Sequence, residues 1–174
     1  MINDLGLFMS RAIIGLGMAA HGAQKTFGWF EGPGLQGAAG FMEQLGFAPS
    51  ETYAKVASYN EFVSGLLTAF GLGGPVGPSG IIAGMTVAAA TVHKENGFFA
   101  AKNGYELPAV YTAGALALAS SGFGAISLDR AIGWDENLRH PLATGLIVGA
   151  GIAGALAALA MRKPPQAAQS GQSS

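Results

Sequence analysis

Hydrophobic runs dominate the chain, and polar residues punctuate them at regular intervals. A helix needs about 20 mostly apolar residues to cross the hydrocarbon core. Leu142–Met161 (LATGLIVGAGIAGALAALAM) meets this without a single charge, as does Leu107–Leu128 (LPAVYTAGALALASSGFGAISL), where Pro108 suits a first helical turn. Phe62–Val92 is also uncharged but too long for one crossing, and GLGGPVGPSG at 71–80 reads as a tight turn dividing it. The first segment is less clean, because only Ala12–Gln24 is free of charge between Arg11 and Lys25. A crossing is preferred there over a re-entrant segment, since Leu5–Phe30 is apolar around those groups.

The pattern predicts transmembrane helices over about 5–28, 53–72, 79–96, 107–127 and 141–161. The expected fold is an all-α polytopic membrane protein: a four-helix transmembrane bundle, a fifth C-terminal transmembrane helix and a short amphipathic segment after helix 1. That segment, Gly32–Pro49, spaces Leu35, Phe41, Met42, Leu45 and Phe47 among polar positions. It is too short to span and fits a helix on the membrane or folded over the bundle. One membrane domain over 1–161 is followed by a polar tail, 162–174 (RKPPQAAQSGQSS), expected to be disordered.

Composition agrees with this division. Charged residues make up 11% of the 174, against about 25% in an ordinary soluble domain. Mean hydropathy is +0.38. A net charge of −1 offers no basic stripe for nucleic acid. Cysteine is absent, which removes thiolate catalysis and Cys-ligated metal or iron–sulfur sites, and no metal is predicted. The start, Met-Ile-Asn-Asp-Leu, lacks a basic n-region, so the first apolar segment is expected to be retained.

Alternating helices bring the end of the first, the start of the second, the end of the third and the start of the fourth to one side of the membrane. Those places hold His21, Gln24 and Lys25; Asn60 and Glu61; His93, Lys94, Glu95 and Asn96; and Tyr105 and Glu106. Chain reversal alone predicts a polar layer there. His21 and Lys25 are four apart and share a helical face. Glu61, Ser64 and Thr68 form a polar stripe, and Thr86, Ala90 and His93 form another, so the two are expected to face each other. A charge at the bilayer centre costs about 2.5–3.5 kcal/mol, and intramembrane ionisable residues turn inward and pair. Glu61 is the residue most in need of a partner, with Lys25 or a histidine the candidates. Lys25, Lys94 and Glu95 could instead snorkel to the headgroups. Arg11 reads as an anchor at the opposite interface.

Several of these residues form longer motifs. His21–Phe30 (HGAQKTFGWF), Gly32–Leu35 (GPGL) and Val92–Phe99 (VHKENGFF), with Gly104–Glu106 (GYE) and Ser127–Asp129 (SLD), closely resemble the DoxX family over residues 5–129. The resemblance implies a four-helix membrane domain. The family takes its name from a small subunit of an archaeal thiosulfate:quinone oxidoreductase, and mycobacterial members are associated with a membrane complex that handles oxidative and thiol stress. Residues 130–174, including the fifth helix, depart from the family pattern.

The leading functional expectation is a membrane component of a redox system, an oxidoreductase subunit rather than a stand-alone enzyme, binding quinone or another small ligand in the polar layer. His21, Gln24, Lys25, Asn60, Glu61, His93, Asn96, Tyr105 and Glu106 are the candidate ligand-binding residues. Donors would meet the quinone carbonyls, and Glu61 would serve proton transfer. Two alternatives stand beside it. One is a scaffold recruiting soluble oxidative-stress enzymes, and the other, ranked lower, is a small-molecule or ion carrier. A bis-histidine haem between His21 and His93 ranks below quinone as a cofactor. Expected partners are the lipid bilayer and soluble redox enzymes, and the Gly-rich helices are compatible with a homo-oligomer. Arg162 and Lys163 favour a cytoplasmic C-terminus in a bacterial-type cell membrane under the positive-inside rule.

Overall fold

In the computed structural model, residues 2–136 and 140–163 are described. They are all-helical. The long elements are α1 (Ile2–Phe27), α3 (Ser50–Phe70), α4 (Val76–Ala88), α5 (Glu106–Ser121) and α7 (Pro141–Met161); α2 (Gly34–Gln44) and α6 (Leu128–Ala131) are short. Among the described residues α1, α7 and the 76–96 segment are long and apolar enough to cross a membrane by themselves. The chain is therefore a polytopic membrane protein. α3 is as long but carries Glu51, Lys55 and Glu61, and α5 has only 16 residues, about 24 Å. Both run alongside the apolar spans and share their cover.

The closest helix pair is α1 with α3. A Cβ on Gly15 would overlap the backbone of Ala69, one on Gly22 the backbone of Phe62, and one on Gly65 the backbone of Ala19. These three positions let two antiparallel backbones touch, which is how membrane helices gain packing without a hydrophobic driving force. Met18 of α1 meets Ile81, Ile82 and Met85 of α4 and Ala115 of α5 in the apolar core. α4 packs in turn on α3, α5 and α7.

α7 runs parallel to α4. Ser79 Oγ, near the start of α4, donates to the Ile147 carbonyl near the start of α7 at 2.9 Å, and Gly151 lies against Ser79. At its far end α7 is fastened to the loop after α2: the Arg162 side chain donates to the Leu45 carbonyl and the Lys163 amide to the Gly46 carbonyl, the latter at 2.8 Å. The expected tail from Arg162 thus begins with two docked residues, and 164–174 lie outside the described residues.

Helix ends differ from expectation for local reasons. α5 stops at Ser121 rather than near 127 because Gly122 and Gly124 turn the chain at φ 73° and 75°. α4 begins earlier, at Val76, with Pro78 in its first turn. Its continuation loosens into a π segment, Ala89–His93, and a 3-10 turn, Lys94–Asn96. The expected amphipathic helix is α2, folded against α3.

The end of the bundle opposite α2 is less neutral than its turn suggested. Arg11 is buried, with its guanidinium donating to the carbonyls of Ala69 and Ile126 and stacked over Phe8 at 5.1 Å. It is a tie between α1, α3 and the loop before α6 rather than a group reaching for headgroups. Asp129, also buried, accepts from the amides of Gly73 and Gly74 at 2.8 and 2.7 Å and so holds the turn between α3 and α4.

Candidate functional site

Antiparallel packing of α1 on α3 sets Lys25, in the last turn of α1, above Glu61 in the middle of α3. Lys25 Nζ donates to both carboxylate oxygens, at 2.6 and 2.8 Å. The Glu61 side chain is 9% exposed and that of Lys25 35%. The residue that most needed a partner has one. Removing either member of such a pair would leave the other short of its hydrogen-bond partner in a largely apolar setting.

Asn60 adjoins the pair. Its Nδ2 donates to the Gly80 carbonyl at 2.9 Å, tying α3 to α4 where Gly80 and Gly84 leave room for the amide. Lys25, Asn60 and Glu61 border a cavity of about 460 Å³ between α2, α3, α4 and α7. That volume falls in the range of small-molecule sites, about 300–1,000 Å³. Apart from these groups the walls are largely apolar: Phe41 and Met42 of α2, Val87 of α4, and Gly154 and Ala158 of α7 are typical.

His93 lines the cavity too. It sits on the π segment, a helix distortion that recurs at functional sites because it re-aims side chains. Its Nδ1 lies 2.7 Å from the Asn103 carbonyl. Along α4, Gly80 and Gly84 mark the depth of Asn60, and His93 lies two to three turns further on, nearer α2. The cavity is therefore elongated, with the ion pair and Asn60 towards its inner end.

The remaining candidates lie elsewhere. His21 is exposed on α1 and does not border the cavity, so the two histidines proposed for a haem share no pocket. Gln24 is half-buried, its backbone covered by the close approach of Gly32. Asn96 Nδ2 donates to the carbonyls of Val92 and Asn103 at 3.1 and 3.3 Å, and Glu106 accepts from the Ala100 amide at 2.8 Å. Tyr105 stacks edge-on against Phe98 at 5.4 Å. These three shape the 94–106 turn. Lys94 and Tyr105 also border an open groove between α4 and α5, and Thr86 and Ala90 line it. The expected stripe thus divides: Thr86 and Ala90 look towards α5 while His93 borders the cavity of Glu61, and Thr86 satisfies its own hydroxyl on the Ile82 carbonyl at 2.8 Å.

A family model named DoxX matches residues 6–94, just over half of the chain. The chain belongs to the DoxX family. The matched stretch carries α1 to α4, and with them Lys25, Asn60, Glu61 and His93. α7 lies beyond it, so this DoxX protein builds one wall of its cavity from residues outside the matched region. No curated protein and no solved structure matches the chain.

The contribution of α7 and α2 was the part not foreseen. The apolar positions Phe41, Met42 and Leu45 were visible as one side of an amphipathic segment, and all three line the cavity. For α7 the sequence offers an almost uniformly apolar run, with no polar side to orient it.

Proposed function

We propose that this membrane protein is the quinone-binding component of a redox system, holding the quinone head group against Lys25, Asn60 and Glu61. The observation that carries the reading is a largely buried ion pair bordering an apolar cavity of ligand size. A cavity-facing ammonium, carboxamide and carboxylate present donors and an acceptor within a short span, which suits both a quinone and a quinol. Because Lys25 and Glu61 cancel, the site favours an uncharged head over an anion. His93 supplies a further polar group nearer α2.

Reduction of a quinone to a quinol takes up two electrons and two protons. This chain would bind and orient the acceptor and move protons through Glu61, whose carboxylate can accept and release one. The electrons would come from a dehydrogenase partner docked at the membrane. On the positive-inside rule the C-terminus and the α2 end of the bundle face the cytoplasm, which puts His93 on the side of soluble partners.

Binding of a tailless dimethoxy-methyl-benzoquinone to the purified protein in lipid nanodiscs, followed by isothermal titration, tests the reading. Glu61→Gln keeps the shape but removes the charge-assisted contact, and a loss of about tenfold to a hundredfold in affinity is expected. His21→Ala, outside the cavity, should bind like the parent. Absence of binding by the parent protein, or equal binding by Glu61→Gln, overturns the assignment.

A further inference from the structure

The cavity is longer than a head group requires. Its lining runs from Ala83 on α4 to His93 at the end of the π segment, and from Ala150 to Ala158 on α7, the latter about 12 Å at the helical rise. α4 forms its floor, with α3 on one side and α7 on the other. Towards the inner end stand Lys25, Asn60 and Glu61; the wall contributed by α7 is Gly and Ala throughout, with no hydrogen-bonding side chain. Exposed residues lie on both flanks: Val56 on α3 and Ala150 and Gly154 on α7 are open to the surroundings, which for these spans are lipid.

Resting on the quinone reading, we propose that α7 forms a tail channel, so that the ligand is a membrane-borne amphiphile whose hydrocarbon chain lies along Ala150, Gly154 and Ala158. Three features of the site fit this ligand. The matched Lys25–Glu61 charges fit an uncharged head. The small side chains of α7 leave a smooth trough that a flexible chain can follow without meeting a polar group. The open flank between α3 and α7 lets the chain continue into the bilayer, so the ligand can be delivered laterally from the lipid phase.

Gly154 gives the test its handle. It lines the cavity, and a Cβ there would meet no atom within 4 Å. A side chain at 154 can enter the trough from the α7 wall, one turn beyond Gly151, whose close contact with Ser79 is left as it is. Gly154→Phe is therefore a steric plug on the α7 wall, which carries neither member of the ion pair.

The experiment compares two probes, the tailless benzoquinone and its decyl derivative, on the parent protein, Gly154→Phe and Glu61→Gln in nanodiscs. Gly154→Leu serves as a milder plug if Gly154→Phe does not fold. Referred to free probe in water and corrected for uptake by protein-free nanodiscs, the parent should bind the decyl probe tighter by about tenfold or more, as transfer of even two methylenes out of water provides. Gly154→Phe should remove most of that advantage, lowering decyl binding far more than tailless binding, whereas Glu61→Gln should weaken both probes alike. Equal affinity of the two probes for the parent, or a plug that weakens both alike, overturns the tail channel while the head-group reading stands. Should neither probe bind through its head, photolabelling with a diazirine-bearing decanol decides the channel separately: adducts on the 141–161 peptide that Gly154→Phe abolishes support it, and adducts confined to other helices overturn it.

Discussion

Removing Lys25 is the sharpest perturbation of this fold. In Lys25→Met the Glu61 carboxylate keeps its buried position and loses both of its 2.6 and 2.8 Å contacts. Breaking a fully buried pair costs about 3–5 kcal/mol, and an exposed pair contributes about 0–1 kcal/mol. With Glu61 9% and Lys25 35% exposed, the pair lies between these limits but nearer the buried one, which places the loss at about 2–3 kcal/mol. Glu61→Leu alone strands the ammonium instead, and Lys25 can partly turn to water, so its cost should be smaller. The double variant Lys25→Met/Glu61→Leu leaves no charge behind and should recover much of the stability, because apolar replacement of a buried pair is often neutral. Reversible unfolding in mixed micelles, followed by tryptophan fluorescence, gives the double-mutant cycle. A coupling of about 2 kcal/mol is expected. Strictly additive single and double variants would refute a pair that acts as a unit.

Two further outcomes follow from the other end of the bundle and from topology. Asp129→Ala removes the acceptor of the Gly73 and Gly74 amides and should cost about 2–3 kcal/mol, visible as faster hydrogen exchange at those amides, with Asp129→Asn intermediate. The chain has no cysteine, so single cysteines report topology directly. In intact cells Asn3→Cys should react with a membrane-impermeant maleimide, and Lys163→Cys only after permeabilisation; labelling from the same side would overturn an odd number of crossings.

Hydropathy made the long helices legible, and the short spacing of His21, Gln24 and Lys25 located the polar end of α1. The Lys25–Glu61 pair could be anticipated because an uncharged run leaves Glu61 few partners and chain reversal supplies one. His21 was harder to place. It shares a face with Lys25 at four-residue spacing, but the flexible lysine stem reaches inward where the short imidazole at its own station stays exposed. Arg11 defeated pattern reading for a different reason: its acceptors are the backbone carbonyls of Ala69 and Ile126, which every residue owns and no motif advertises. Thr86 misled through periodicity, since a hydroxyl that bonds to its own helix is free to face any neighbour. The position of α7 depends on the path of 122–140, which hydrophobic spacing does not encode.

The two long walls of the cavity are held very differently. On one side, α3 is clamped to α1 by close backbone approach at Gly15, Gly22 and Gly65, where any side chain larger than hydrogen would clash. On the other, α7 leans on α4 with most of its surface outside the bundle, held at Ser79 and at the Leu45–Gly46 loop. The site is a vice with one fixed jaw and one sprung jaw. Tolerance for ligands of differing girth, and drift in sequence over generations, should therefore concentrate on the sprung side.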